Sequence, residues 1–409
     1  MCGRLPPVSF LFLFAWIHAF SAQSVCAKVS PLAHPPDWSW LEQCQGVFTR
    51  NQFLGVLEDI YAPNGAWSGA MEMGEKGVRI RIEGDVWKEV RFARESEAPT
   101  KGPERFWRRA SEMGAAPADK PLKGVRVAID PGHLGGEWAR MEARFFQMGR
   151  SRPVAEGDLT LAVARKLKPL LEKMGAEVQV LRSSDLPVTA DRPNTLRTAA
   201  ASDLSGNPSA ERLKQHSELF FYRVSEIRAR ARRVNEEIKP DMVLCLHFNA
   251  EEWGEPDNPQ LIPRNHLHAL VNGCYGPREL DSDDIRAEML GQLFGRVSEE
   301  AVPLSAAVLE SLATETGLPP FVYFSNNAKR VGENPYLYAR NLLANRLYRA
   351  PVVFLEPYVM NSGPVWRRVQ QGDYSGEKLV DGVMRKSLAN EYASGVAEGM
   401  ARYYRTRRK

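Results

Sequence analysis

Three segments of this chain are apolar almost without interruption: Val125-Arg126-Val127-Ala128-Ile129-Asp130, Met242-Val243-Leu244-Cys245-Leu246-His247-Phe248 and Pro351-Val352-Val353-Phe354-Leu355-Glu356. A strand with one wet face alternates apolar and polar residues, whereas a strand covered on both faces reads as a nearly continuous apolar run. Such strands need helices above and below, and the chain supplies them. Leu159, Ala162, Val163, Leu167, Leu170 and Leu171 recur along one side of a helix that ends at Gly175. Glu177-Val178-Gln179-Val180-Leu181 follows as a strand, a basic helix covers about 221–237, and a final helix about 387–404. Strands alternating with helices predict an α/β fold: a three-layer sandwich with a mostly parallel central sheet flanked by helices.

A smaller unit precedes the sandwich. Thr49-x-x-Gln52 has the form of a capping box, and Phe53, Leu54, Val56, Leu57 and Ile60 then recur at helical spacing. Val78-Arg79-Ile80-Arg81-Ile82 and Trp87-Lys88-Glu89-Val90-Arg91-Phe92 alternate as strands around the turn Glu83-Gly84-Asp85. Residues 28–94 therefore read as a small α+β accessory module, 95–121 as an Ala-, Pro-, Glu- and Lys-rich linker, and 122–409 as the main domain. Residues 1–27 have the form of a signal peptide. Arg4 precedes the apolar run from Val8 to Ile17, and small residues including Ala19, Ser21 and Ala22 follow. An uncleaved N-terminal anchor is the competing reading, and no later segment is long enough to span a membrane. The expected location is the secreted, periplasmic or cell-envelope space, where a Cys26–Cys44 bridge is permitted but not required.

Composition closes off several classes. A hydrophobic share of 44% and a charged share of 25% are those of a globular protein. A formal charge of +4 is too mild to argue for nucleic acid, though it suits a protein working beside an anionic polymer. A mean hydropathy of -0.37 excludes a polytopic membrane protein, and five Cys in 409 residues exclude a disulfide scaffold.

In open α/β sheets, ligands bind beyond the carboxyl ends of the strands. Only His133 and His247, of seven His, terminate strongly apolar strands, and Glu356 ends a third. Two imidazoles and a carboxylate converging there describe a catalytic zinc site with three protein ligands and an open position. Glu137, Glu142 and Glu156 all follow His133, so spacing leaves the third ligand open. Glu156 has the advantage of standing at a helix start, where an ionised carboxylate is favoured. His266-x-His268 is a rival pair, expected in a loop or at a strand edge.

The run Val127-Ala128-Ile129-Asp130-Pro131-Gly132-His133 with Gly135-Gly136 resembles the first motif of the zinc-dependent N-acetylmuramoyl-L-alanine amidases. Glu156-Gly157-Asp158-Leu159-Thr160-Leu161 is similar to the second motif of that family. Arg230 and Asn235, then Asp241 through His247-Phe248-Asn249-Ala250, resemble its basic helix and second zinc histidine. Leu337 through Arg340, with Pro351 to Glu356, resembles its last motif. Glu137-Trp138-Ala139, Gly157 and Pro357-Tyr358 depart from the usual pattern, and extra sequence lies around 198–220 and 275–333. The resemblance implies one Zn²⁺ per chain on His133, Glu156 and His247, Glu356 as the catalytic residue, and Arg340 and Asn249 as substrate or oxyanion contacts. It implies hydrolysis of the amide joining N-acetylmuramic acid to L-alanine in peptidoglycan. A zinc carboxypeptidase or other amidohydrolase, and a non-catalytic peptidoglycan-binding protein, are the alternatives. Residues 281–316 read as amphipathic and helical, either packing on the sheet or lying near the cleft as an inhibitory helix that a protein activator displaces.

Overall fold

The computed structural model describes residues 28–409, so the leader expected over 1–27, and Cys26 with it, lies outside the described residues. Helix α1 (Arg50–Val56) opens on the expected capping box, in which Thr49 Oγ1 accepts from the Gln52 N–H and the Gln52 side chain accepts from the Thr49 N–H. An antiparallel sheet follows, made of β1 (Met71–Met73), β2 (Gly77–Glu83) and β3 (Val86–Arg91). This unit does not close a core by itself. Phe53, Val78 and Ile80 pack in one cluster with Leu290, Leu293 and Phe294. The N–H groups of Cys274 and Tyr275 donate to the carbonyls of Ile60 and Tyr61, each at 2.7 Å.

Beyond residue 121 the elements run β4 (Arg126–Pro131), the hairpin β5 (Phe145–Phe146) and β6 (Val154–Ala155), α2 (Glu156–Lys173), β7 (Glu177–Val180), α3 (Arg197–Asp203), α4 (Ala210–Leu219), α5 (Glu226–Arg232) and β8 (Met242–Leu246). The chain continues through β9 (Leu267–Val271), α6 (Pro277–Leu280), α7 (Asp283–Phe294), α8 (Ser298–Thr316), β10 (Lys329–Arg330), β11 (Leu337–Ala339), α9 (Leu343–Leu347) and β12 (Val352–Pro357). It ends with α10 (Gly363–Gln370), the hairpin β13 (Glu377–Val380) and β14 (Val383–Lys386), and α11 (Leu388–Arg407).

The central sheet has seven strands in the order β10-β11-β9-β12-β8-β4-β7. The pairs β4–β7, β4–β8, β8–β12 and β9–β11 are parallel, and β9–β12 and β10–β11 antiparallel. Successive side chains along a strand face opposite layers. Val127, Ile129, Leu244, Leu246, Val353 and Leu355 accordingly join one core cluster with residues of α2, α8 and α11. Ala128, Val243, Cys245 and Phe354 join another with Ala231, Val234 and Tyr348. The fold is the three-layer sandwich read from the apolar runs.

Two local expectations need revision or resolution. His268 lies neither in a loop nor at a free edge: it is buried inside β9, between β11 and β12, with His266 buried just ahead of it. Leu267-x-Ala269-Leu270-Val271 makes a short buried strand, hidden from sequence inspection because two imidazoles open it. In the 281–316 segment, α7 faces the accessory unit and α8 packs on α11 and the sheet. Both helices of the segment are thus packed, α8 against β9 and β12 among other elements.

Candidate metal centre

Strand β4 delivers Asp130-Pro131 to the carboxyl edge, and Gly132 and His133 turn out of it. His133 adopts a left-handed backbone conformation with φ 58°, an uncommon state for a residue carrying a side chain. Several groups hold it there. The Gly132 N–H donates to the Leu246 carbonyl at 2.9 Å. Both oxygens of buried Glu142 accept from the Leu134 N–H, at 3.0 and 2.9 Å, and Glu142 Oε1 lies 3.5 Å from His133 Nδ1. Burial raises the pKa of Glu142, but His133 and these N–H groups outweigh burial and hold it below the usual carboxylate value. Two buried guanidinium groups pin the turn's carbonyls. Arg230 donates to Asp130 Oδ1 at 2.8 Å, the Pro131 carbonyl at 2.9 Å and the His133 carbonyl at 3.1 Å. Arg182 donates to Pro131, Gly132 and Gly157 carbonyls at 3.1, 3.2 and 2.8 Å.

Glu156 is the first residue of α2 and is buried. Its Oε1 lies 3.0 Å from His247 Nδ1 and accepts from the Phe248 N–H at 3.1 Å. Its Oε2 lies 3.2 Å from His133 Nε2 and 3.1 Å from Arg144 Nε. Burial alone would raise its pKa, but the two imidazoles and Arg144 bring it down to about 2. Gly157 permits this placement, because a Cβ there would stand 2.2 Å from the Gly135 nitrogen. His247 follows β8, its N–H bonded to the Leu355 carbonyl at 3.0 Å, and its ring stacks on Phe354 at 4.4 Å between centroids.

The donors of His133, Glu156 and His247 lie within 4.8 Å of one another, a group that could hold a metal ion. Among the three candidate acids after His133, geometry thus brings Glu156 to the imidazoles, makes Glu142 the clamp behind His133, and leaves Glu137 exposed in a short turn. Half-buried Glu356 ends β12 on the same edge. Burial raises its carboxyl to about 7, with the Glu156 charge adding to the rise and His247, Arg144 and Arg340 opposing it. Asn249 bonds its own neighbourhood, with Oδ1 accepting from the Ala250 N–H at 2.8 Å. Arg340 makes no ion pair among the described residues; its Nη1 lies 3.4 Å from the Tyr323 hydroxyl. The rival pair serves elsewhere: His268 Nε2 lies 3.0 Å from the same hydroxyl, and the His266 ring lies tilted against Phe321, 4.5 Å between centroids.

Arg144, Arg182 and Tyr323 went unread in the sequence, and Glu142 was read only as a candidate ligand, not as the group behind His133. Arg182 alone left a signal, since it directly follows the strand Glu177 to Leu181 on the ligand-binding edge. The others come from irregular stretches without periodicity.

Comparison with known proteins agrees with the motif resemblance. Residues 127–258 match the family described as N-acetylmuramoyl-L-alanine amidase. Over 78 residues the chain is 38% identical to "Probable cell wall amidase LytH" of Staphylococcus saprophyticus, which is 19% of this chain and 25% of that protein. Over 83 residues it is 36% identical to the protein of the same name from Staphylococcus epidermidis, covering 19% of this chain and 26% of that one. The chain thus spans about a quarter of the length of these curated relatives. Among solved structures, the apo N-acetylmuramyl-L-alanine amidase Ami1 of Mycobacterium abscessus is 15% identical with a TM-score of 0.39, over 69% of this chain and 99% of that one. The CwlD amidase of Clostridioides difficile, solved in complex with the GerS lipoprotein, is 12% identical with a TM-score of 0.38, over 68% of this chain and 96% of that one.

Proposed function

We propose that this chain is a zinc-dependent N-acetylmuramoyl-L-alanine amidase, with 122–409 as its catalytic domain, 95–121 as linker and 28–94 as accessory module. The reaction is hydrolysis of the amide between the lactyl group of N-acetylmuramic acid and the L-alanine of the peptidoglycan stem peptide. One observation carries the reading: the donors of His133, Glu156 and His247 converge within 4.8 Å at the strand ends, inside the stretch matched by the amidase family.

The residues fit the ion. Two imidazole nitrogens address one carboxylate that stays ionised, and Glu142 occupies the other nitrogen of His133, as the carboxylate behind a metal-ligating histidine does. His133, Glu156 and His247 would hold Zn²⁺, and such an ion would supply Lewis-acid polarisation of the scissile carbonyl and a lowered water pKa, from about 15.7 towards 7. Glu356 takes the proton of the attacking water and returns it to the departing amine, a task suited to a carboxyl raised to about 7. Arg340 and Asn249, which among the described residues have no acidic partner and no acceptor for the amide nitrogen respectively, are the proposed substrate contacts. The substrate places the protein in the cell envelope after export. A protein activator is part of the same reading, and α7 and α8 of the 281–316 segment pack on the accessory unit, α11 and the sheet.

The test is mass spectrometry of purified peptidoglycan after incubation, with and without chelator. Release of intact stem peptides bearing a free L-alanine amine, abolished by chelator, is expected. Release of a single terminal amino acid would make the protein a carboxypeptidase, and no cleavage would leave a binding protein.

A further inference from the structure

Residues 28–31 run as a short strap between α7 and α5. The Lys28 main-chain nitrogen donates to Asp283 Oδ2 at 3.1 Å, and the Lys28 carbonyl accepts from the Asp283 N–H at 2.7 Å. Two residues on, the Ser30 N–H donates to Asp284 Oδ1 at 2.9 Å, and the Ser30 hydroxyl meets the other oxygen of that carboxylate. From the opposite side, Arg228 of α5 donates to the Ser30 hydroxyl at 3.0 Å and to the Pro31 carbonyl at 3.3 Å.

Asp283 and Asp284 stand in the first turn of α7 and are each only 4% exposed. Buried carboxylates need countercharges. Asp284 has Arg228 at 3.6 Å. Asp283 has Arg286, whose Nη2 lies 2.6 Å from Oδ1, but that guanidinium is shared. It also donates to the carbonyls of Leu280 and Arg81, each at 2.6 Å, and of Ile82 at 3.2 Å, which pins β2 of the accessory unit. The second oxygen of Asp283 faces the Lys28 nitrogen, while the Lys28 ammonium side chain turns to Asp281 at 3.8 Å.

Lys28 directly follows Val25-Cys26-Ala27. Removal of an export leader takes small residues one and three places before the cut. A cut after Ala27 finds Ala27 and Val25 there, whereas a cut after Ala22 finds the bulky Phe20 in the third place. We infer that processing after Ala27 turns the Lys28 nitrogen into a structural cation, an α-ammonium paired with Asp283 that fastens the mature N-terminus to the joint between α7 and the accessory unit. A leader-removing protease adds water across the Ala27–Lys28 bond: Ala27 leaves with the carboxylate, and Lys28 keeps the amine. An α-amine titrates at about 7.7–8.0, so it is mostly protonated at neutral pH. The same nitrogen then makes a charge-assisted bond, roughly twice as strong as the neutral one. A retained leader, or a cut after Ala22, leaves an uncharged amide at that place. The inference rests on export of the chain and not on the amidase reading.

The first test is the intact mass of the full chain produced with its own leader in an exporting bacterial host. A protein beginning at Lys28 is expected; one beginning at Gln23, or retaining 1–27, overturns the inference. The second compares the mature chain with a chain carrying Gly-Ser ahead of Lys28, which restores an uncharged amide at the same nitrogen. The extended chain should melt ~2–4 °C lower. That gap should close in Asp283→Asn, where the carboxylate charge is gone. Because Asp283→Asn also deprives Arg286 of its partner, the mature chain acetylated at its α-amine provides a comparison free of any substitution, and it should melt with the extended chain. Equal melting of the mature, extended and acetylated proteins overturns the pairing, as does a gap that persists undiminished in Asp283→Asn.

Discussion

Glu356 stands directly opposite His268 in the antiparallel ladder between β12 and β9. Burial drives the His268 pKa down to about 3, and His266 and Arg340 push it the same way. The ring is therefore neutral at any working pH and gives Glu356 no countercharge. Burial, with the Glu156 charge adding to it, therefore holds the acid near 7 against His247, Arg144 and Arg340.

The two acids at the edge should separate in their effects. Glu156→Gln removes the anionic donor between the imidazoles, so bound zinc should fall steeply, with activity. Glu356→Gln leaves the donors intact; zinc should stay near one per chain while turnover drops by ~10²–10⁴-fold, as for a lost general base. Elemental analysis beside amide hydrolysis on folded variants decides this. Loss of zinc from Glu356→Gln would reverse the assignment.

Replacing both rival imidazoles should not cost metal. A His266→Phe, His268→Phe double variant should keep its zinc and lose the Tyr323 contact, whereas His247→Ala should lose the ion. Zinc loss in the double variant would show that β9 contributes to the metal site.

Gly132 is a packing requirement of the metal site. A Cβ at that position would stand 2.2 Å from the His247 ring. Gly132→Ala should displace the imidazole and weaken zinc binding by an order of magnitude or more in a chelator competition, with secondary structure retained by circular dichroism. Unchanged affinity would mean that the ring moves freely.

Catalysis should show an acid limb. The base role proposed for Glu356 needs it ionised, and burial raises its carboxyl to about 7 against the opposing pull of His247, Arg144 and Arg340. The value of kcat/KM should therefore rise with pH through about 7 and level off near pH ~8, and the limb should be missing from the residual activity of Glu356→Gln. A rate that falls steadily from pH 5 to 7 would contradict the base role.

Asp241 ties residues ahead of the sheet to its first strand. Burial raises its pKa, but hydrogen bonds from Arg108 and Arg126 outweigh it and leave the folded value depressed. A depressed folded pKa means that the folded state binds fewer protons. The stabilisation is therefore present above the unfolded value of about 3.9 and lost as pH falls through the folded one. Both arginines are partly exposed, so Asp241→Asn should cost about 1–3 kcal/mol and flatten the acid end of the stability curve. Denaturant melts from pH 3 to 7 measure both effects.

Much of this was legible in the chain. Continuous apolar runs marked the buried strands, since a strand covered on both faces needs both faces apolar, and the polar residues ending them marked the edge where Asp130, His133, His247 and Glu356 stand. Helix-start chemistry favoured Glu156. Spacing could not bring these groups together, because strand order is set by packing between distant segments: β12 lies beside β8 although about a hundred residues separate them. The tertiary structure alone decided that Glu142 clamps His133 while Glu156 meets both imidazoles. It also buried His268 in the sheet opposite Glu356, and built the accessory unit and α7 into one core. Sequence periodicity reports which face of an element avoids water; which neighbour covers that face, and which charges then meet, depends on contacts that only the folded chain makes.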